Sequence, residues 1–178
     1  LLPALVVFAP AQWLASAVAQ ASSGRLLLAE PQGTVWTGSA RPVLTGGADS
    51  QDRAALPTRL HWQLRPAWGG ARAQVQSPCC TPEPLRLQAH IGLRSLRITM
   101  ADGQSQWPAA LLSGLGTPWN TLQPQGQLLL HTQGLQALWS NARLQIQGQV
   151  QLDALAVSFA QRADEIDYVI YGGDMQFV

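Results

Sequence analysis

Leu144, Gln145, Ile146, Gln147, Gly148, Gln149, Val150, Gln151 and Leu152 follow one another as a strict alternation, one face apolar and the other almost entirely Gln. A period of two puts successive side chains on opposite faces, so this stretch reads as a strand with one face buried and one wet. The same alternation recurs to either side. Leu60, Trp62 and Leu64 alternate with Arg59, His61, Gln63 and Arg65, and Ala71, Ala73 and Val75 with Arg72, Gln74 and Gln76. Leu85, Leu87 and Ala89 alternate with Arg86, Gln88 and His90, and Leu96, Ile98 and Met100 continue the pattern. Nearer the start, Leu26 and Leu28 open one strand and Thr34 to Leu44 forms a longer one. Strands wet on one face belong to antiparallel sheets, since parallel sheets bury both faces. The expected fold is therefore mainly β: an antiparallel meander forming a curved sheet, a sandwich or an open half-pipe. Periodicity does not choose among these three, because a filled core and an open groove use the same apolar residues.

Turn chemistry divides the strands. The segments 46–50 and 66–70 read as loops, Asp102-Gly103 as a hairpin turn and Pro124-Gln125-Gly126 as a tight turn. Two segments depart from the period of two. Ala11, Leu14, Ala15 and Val18 have helical spacing behind Pro10, which predicts a short N-terminal helix ending near Ala21. Trp107 to Leu112 reads as a short helical insert, with Pro108 in its first turn and Gly114 and Gly116 at its end. No solenoid repeat is visible.

A chain of 178 residues is long enough for one domain with a sizeable core, with or without a small appendage. Only 12% of it is charged, and its 11 basic residues are all Arg. A formal net charge of +1 without a basic cluster argues against nucleic acid as a partner. The opening run Leu1 to Ala9 is less than half the roughly 20 apolar residues a spanning helix needs. By itself it reads either as a buried strand or terminus or as the end of a membrane anchor.

Reactive constellations are scarce. Cys79 and Cys80 are adjacent, between Pro78 and the pair Pro82 and Pro84. Two Cys do not make a four-ligand zinc site, and no Cys-x-x-Cys is present. The pair reads as structural or incidental, closed as a vicinal disulfide in an oxidising compartment, with redox chemistry as the alternative. His61, His90 and His131 fall on polar strand faces with no acid or second His at ligand or triad spacing. Ser113 and Ser158 lack a nucleophile-elbow context. Asp49 and Asp52 lack the closing Glu of a calcium loop, and Glu30 and Glu83 read as solvated loop charges. No catalytic residue, metal ligand or cofactor site is expected. Of the seven Trp residues, Trp36 and Trp62 read as core, while Trp68, Trp107 and Trp119 lie in or beside loops, where packing and partner contact are both open.

Two motifs remain. In Gly33-Thr34-Val35-Trp36-Thr37-Gly38, a large ring sits between two glycines that allow a turn or a close backbone approach. In Gly116-Thr117-Pro118-Trp119-Asn120-Thr121-Leu122, Pro118 restricts the residue before it and Asn120 is able to close a local turn. Together they resemble the type II secretion system protein N (general secretion pathway protein N) family of Gram-negative bacteria, over about residues 1–160. The resemblance implies a non-enzymatic, single-pass inner-membrane protein whose main domain lies in the periplasm. Such a protein supports export of folded proteins across the outer membrane. Its implied partners are other type II secretion components of the inner-membrane platform or periplasm, and the membrane itself through an N-terminal anchor. On this reading residues 1–22 are the end of the anchor plus a linking helix, and residues 23–162 are the periplasmic β domain. Residues 163–178 are an atypical tail where the resemblance lapses. The alternative is an AsmA-like lipid-handling or envelope-assembly β module, with lipid as the partner. Gly33, Trp36 and Gly38, with Pro118, Trp119, Asn120 and Thr121, are the candidate structural or partner-contact residues. Trp119 is either a contact residue or a plug at one end of the β core.

Overall fold

A computed structural model describes residues 8–47, 50–140, 143–159, 168–170 and 174–177. The N-terminal helix α1 (Ala11–Ala21) leads into β1 (Leu26–Gly33), β2 (Thr37–Thr45), β3 (Arg53–Ala55), β4 (Leu60–Ala67) and β5 (Gly70–Gln76). There follow β6 (Leu85–Ile91), β7 (Ser95–Met100), β8 (Gly103–Pro108), a 3-10 insert (Ala109–Leu115) and the one-turn helix α2 (Trp119–Leu122). The chain continues with the long strands β9 (Pro124–Ser140) and β10 (Arg143–Phe159), then the short β11 (Tyr168–Ile170) and β12 (Asp174–Phe177).

All twelve strands join one antiparallel sheet, in the order β1-β2-β4-β5-β6-β7-β9-β10-β11, with β3 on β2, β8 on β9 and β12 on β10. The sandwich is thereby set aside: the expected meander is one open sheet. Within the tail, β11 and β12 pair with β10, while residues 160–167, 171–173 and 178 lie outside the described residues. Residues 1–7, the bulk of the expected anchor stub, lie outside them as well.

Two strand pairs run end to end along a common neighbour. Both β4 and β3 pair with β2, through Thr37–Ala40 and Val43–Thr45 respectively. Both β7 and β8 pair with β9, through Gln136–Ser140 and Gln127–Thr132. Asp102-Gly103 is therefore a junction between collinear strands and not the hairpin its composition suggests. Asp102 is used differently: its Oδ1 accepts the backbone N–H of Gly134 at 2.6 Å across the junction. A crease continues from there to Gly148 on β10, where φ is +129° and a Cβ would lie 2.6 Å from Leu135 Cα. The β9–β10 register shifts at this point, between Gln147 and Gln149. One extra residue reverses the alternation of a strand. Because β7–β8 and β9 shift together, Met100 and Ile98 above the crease share a face with Ser105 and Trp107 below it.

Other boundaries also move. Pro124-Gln125-Gly126 begins β9 and is not a turn, because Gln125 and Gln127 are already paired with β10. The strand expected from Thr34 begins at Thr37, since residues 34–36 form the turn between β1 and β2. Trp107 and Pro108 close β8, so the helical insert starts only at Ala109.

The apolar face is covered in two places. Buried Ala11 of α1 packs with Ala40 and Trp62, joined by Leu14, Leu28, Leu64 and Val75. A second cluster joins Leu56, Cys80 and Leu111 of the insert with Leu44, Ala54, Cys79 and Trp107. The first lies under one edge of the sheet. The second fills the gap between β3 and β8 at its base.

Candidate functional site

The first motif is a hairpin tip pinned by a tryptophan from another strand. Gly33 pairs with Gly38, and Thr34 N–H donates to Thr37 O at 2.9 Å. Thr37 N–H returns a bond to Thr34 Oγ1 at 3.1 Å. Trp62 lies beneath this turn, 4% exposed, and its Nε1–H donates to Thr34 O at 3.2 Å and Val35 O at 3.1 Å. Both glycines are sterically required. Gly33 has φ +86° and a Cβ on it would stand 2.5 Å from Thr37 O, while one on Gly38 would stand 2.6 Å from the Trp62 ring. Trp36 itself is half-buried, less enclosed than Trp62. Its backbone O accepts Leu64 N–H at 2.6 Å, and Val35 N–H donates to Ala9 O at 2.9 Å. The motif thus ties the incoming chain to β1, β2 and β4.

The second motif forms a strut at the base. Thr117-Pro118 is a cis peptide bond, and α2 starts directly after it. Asn120 N–H donates to Gly116 O and Leu122 N–H to Pro118 O, each at 3.1 Å. The Asn120 side chain does not close a local turn. Its Nδ2 reaches across to Asp52 Oδ2 at 3.1 Å, joining the connection after the insert to the loop before β3. Thr121 Oγ1 donates to Asn120 Oδ1 at 3.2 Å. Trp119 is half-buried, whereas Thr117, Pro118 and Thr121 are exposed.

Cys79 and Cys80 are joined as a vicinal disulfide. Cys80 is buried in the base cluster, and its backbone O accepts Gln106 N–H from β8 at 2.7 Å. Buried Ser77 and Thr81 close the loop around the pair, Ser77 N–H donating to Thr81 Oγ1 at 2.7 Å. The bond is built into the packing of the base.

Above the crease no element among the described residues covers the apolar face. Strand pairing aligns Ile91, Leu96 and Trp139 in one row, and Ala89, Ile98 and Ala137 in the next, with Ile146 beyond Ala137. Ile91 is 67% exposed, Trp139 52% and Ile146 66%. The tips at this end carry Trp68, between β4 and β5, and Leu93, between β6 and β7, both fully exposed. Sequence reading recognised these strands but not their bareness. The available signal was a Trp and a Leu set in two short turns, where polar residues are the rule.

The described titratable groups form no constellation. Among the described residues no three His, Cys, Asp or Glu could share a metal ion. His61 and His90 are exposed, as their polar-face positions predict. His131 gains a neighbour its sequence spacing did not show: β9–β10 pairing brings its Nε2 to 3.6 Å from Asp153 Oδ2. Glu30 also has partners, being 3.2 Å from Arg59 and 4.0 Å from Arg41, and so is not simply solvated. No helix among the described residues is long and apolar enough to cross a membrane.

The family model described as type II secretion system (T2SS), protein N matches residues 24–167, well over half of the chain. No curated protein and no solved structure matches.

Proposed function

The chain belongs to the type II secretion system protein N family, and from that premise we propose that it is a non-enzymatic component held at the bacterial inner membrane, with its β domain in the periplasm. There it supports export of folded proteins across the outer membrane by bridging the membrane and other components of the secretion platform. The observation that carries this reading is the construction of the sheet. One edge and the base are packed shut, whereas among the described residues the opposite end is an uncovered apolar surface, a form suited to contact. The two motifs fit the same reading, since their polar groups hold backbone and loops together. The exposed Thr117, Pro118 and Thr121 beside half-buried Trp119 form the surface proposed for a platform component. A proline-fixed loop loses little freedom on docking.

The test is recovery of the tagged, full-length protein from envelope extracts. Secretion-platform proteins should come with it, and Trp119→Ala should weaken that recovery. Recovery from the soluble fraction without any secretion component would refute the proposal. The bare apolar face specifically favours one second reading, the AsmA-like module, in which acyl chains lie along β6, β7 and β9. Stoichiometric lipid in the purified protein, with no platform protein recovered, would select that reading.

A further inference from the structure

We propose that the uncovered end of the sheet seats on the surface of an anionic lipid bilayer, with the tips bearing Trp68 and Leu93 and the Trp139 row entering the headgroup region. This deepens the reading above by naming the partner of the bare end.

Strand register supplies the first argument. Trp62 pairs with Val75 and Val75 with Leu85, so the row under α1 reaches β6 at Leu85. Ile91 lies six residues further along β6, roughly 20 Å at the rise of an extended strand. Over that distance the face passes from packed core to exposed surface. Three neighbouring hairpins, β4–β5, β6–β7 and β9–β10, turn at that far end. Trp68 and Leu93 project from the first two, and Trp139 stands just inside the third. Trp is the side chain that best suits a boundary with apolar tails on one side and water on the other.

Charge is the second argument, and it is independent of the first. The sequence holds no Asp or Glu between Arg53 and Pro82, between Pro84 and Ala101, or between Gly103 and Leu152. Every acid on β4 to β10 and their connections is therefore at or below the crease: Glu83, Asp102 and Asp153. The bare end carries Arg65, Arg72, Arg94, Arg97 and Arg143, all exposed. Arg94 and Arg143 adjoin the tips themselves. The net charge of +1 conceals this separation. Arg65, Arg72 and Arg97 alternate with the apolar residues and so lie on the other face of this end, while Arg94 and Arg143 flank the tips. Cationic charge of one sign beside apolar tips matches phosphate headgroups over acyl chains, whereas a protein-binding core is depleted of charge and carries no requirement for one sign.

The third argument is the path of the chain. Phe8, 75% exposed, leads through the Pro10–Thr34 bridge into α1, which runs away from the bare end toward the base. Phe8 thus stands on the side of α1 that faces the bare end.

The experiment is flotation of the full chain with vesicles of phosphatidylcholine containing phosphatidylglycerol, and with vesicles of phosphatidylcholine alone. The parent should float with the anionic vesicles and do so less as salt rises. Trp68→Ser/Leu93→Ser/Trp139→Ser should lower the partition at least about tenfold, and Arg94→Gln/Arg143→Gln, which touches no packing, by a similar factor on anionic vesicles only. If the triple variant melts early, Trp68→Ser alone, at a fully exposed position, still has to weaken binding. Unchanged flotation of the Arg and Trp68 variants would overturn the proposal and leave residues 1–9 as the binding segment. Equal binding to neutral vesicles, or a single lipid retained without vesicle binding, would overturn it too. Recovery of secretion-platform proteins by the Arg94→Gln/Arg143→Gln variant tests the function separately: if it persists while flotation fails in the parent, only the bilayer contact is wrong.

Discussion

The base and the far end of this sheet use the same alternating pattern and reach opposite outcomes. At the base, Leu56, Cys80 and Leu111 interlock beneath β2, β3 and β8, and Asn120 clamps the connection to Asp52. At the far end, Ile91, Ile98, Trp139 and Ile146 stand exposed on the same apolar face, with none of the described residues packed over them. Alternation therefore reports which residues share a face, and leaves open whether anything in the chain lies on it. Covering is decided by non-periodic pieces: α1, the 3-10 insert and the Ser77–Thr81 loop. Where those pieces end, the core ends.

Substitutions sharpen the contrast in order of expected size. Trp62→Ala should be the most damaging. It opens a cavity under α1 and leaves Thr34 O and Val35 O without their shared donor, a loss of about 3–5 kcal/mol that chemical denaturation will read. Trp36→Ala, at a half-buried position, should cost clearly less; an equal cost would mean that the two rings share the pinning of the turn. Gly33→Ala comes next at about 1–3 kcal/mol, because a Cβ is opposed both by the positive φ and by Thr37 O. Asn120→Ala should cost about 1 kcal/mol through loss of the bond to Asp52. Asp52→Ala in the same background should then add almost nothing, and full additivity in that double-mutant cycle would show the strut to be inert. The smallest effect belongs to Cys79→Ser/Cys80→Ser. A ring closed between adjacent residues removes little freedom from the unfolded chain, so its loss should cost under about 1 kcal/mol beyond the packing of Cys80. A loss of several kcal/mol would instead make the bond a principal clamp of the base.

Much of this was legible in the residues. Period two located β4 to β7 and β10, helical spacing located α1, and Gly33 and Gly38 marked a turn or close approach. What escaped depended on pairing across the chain. Asp102-Gly103 carries the composition of a hairpin, yet β9 is long enough to pair with β7 and β8 in succession, so the chain goes straight on. Pro124 to Gly126 has turn composition but lies on a strand because β10 extends far enough to pair with it. The partner of Asn120 is 68 residues away in sequence, and a local turn was the only partner visible from its neighbourhood. Trp36 and Trp62 look alike as sequence, and only the register of β2 with β4 puts Trp62 beneath the turn that carries Trp36. The bare end escaped for the same reason: exposure depends on what fails to cover a strand, and no single stretch of sequence states that.

The central claim is that stability resides at the covered edge and base, while the far end is surface. Thermal unfolding of Ile91→Thr/Leu93→Ser/Ile146→Thr tests it most directly, with Trp62→Ala as reference. The account predicts a melting temperature within about 3 °C of the parent for the triple variant, against a fall of roughly 6–20 °C for Trp62→Ala. A fall in the triple variant as large as that of Trp62→Ala would contradict it, because three side chains left mostly in water cannot hold the fold together.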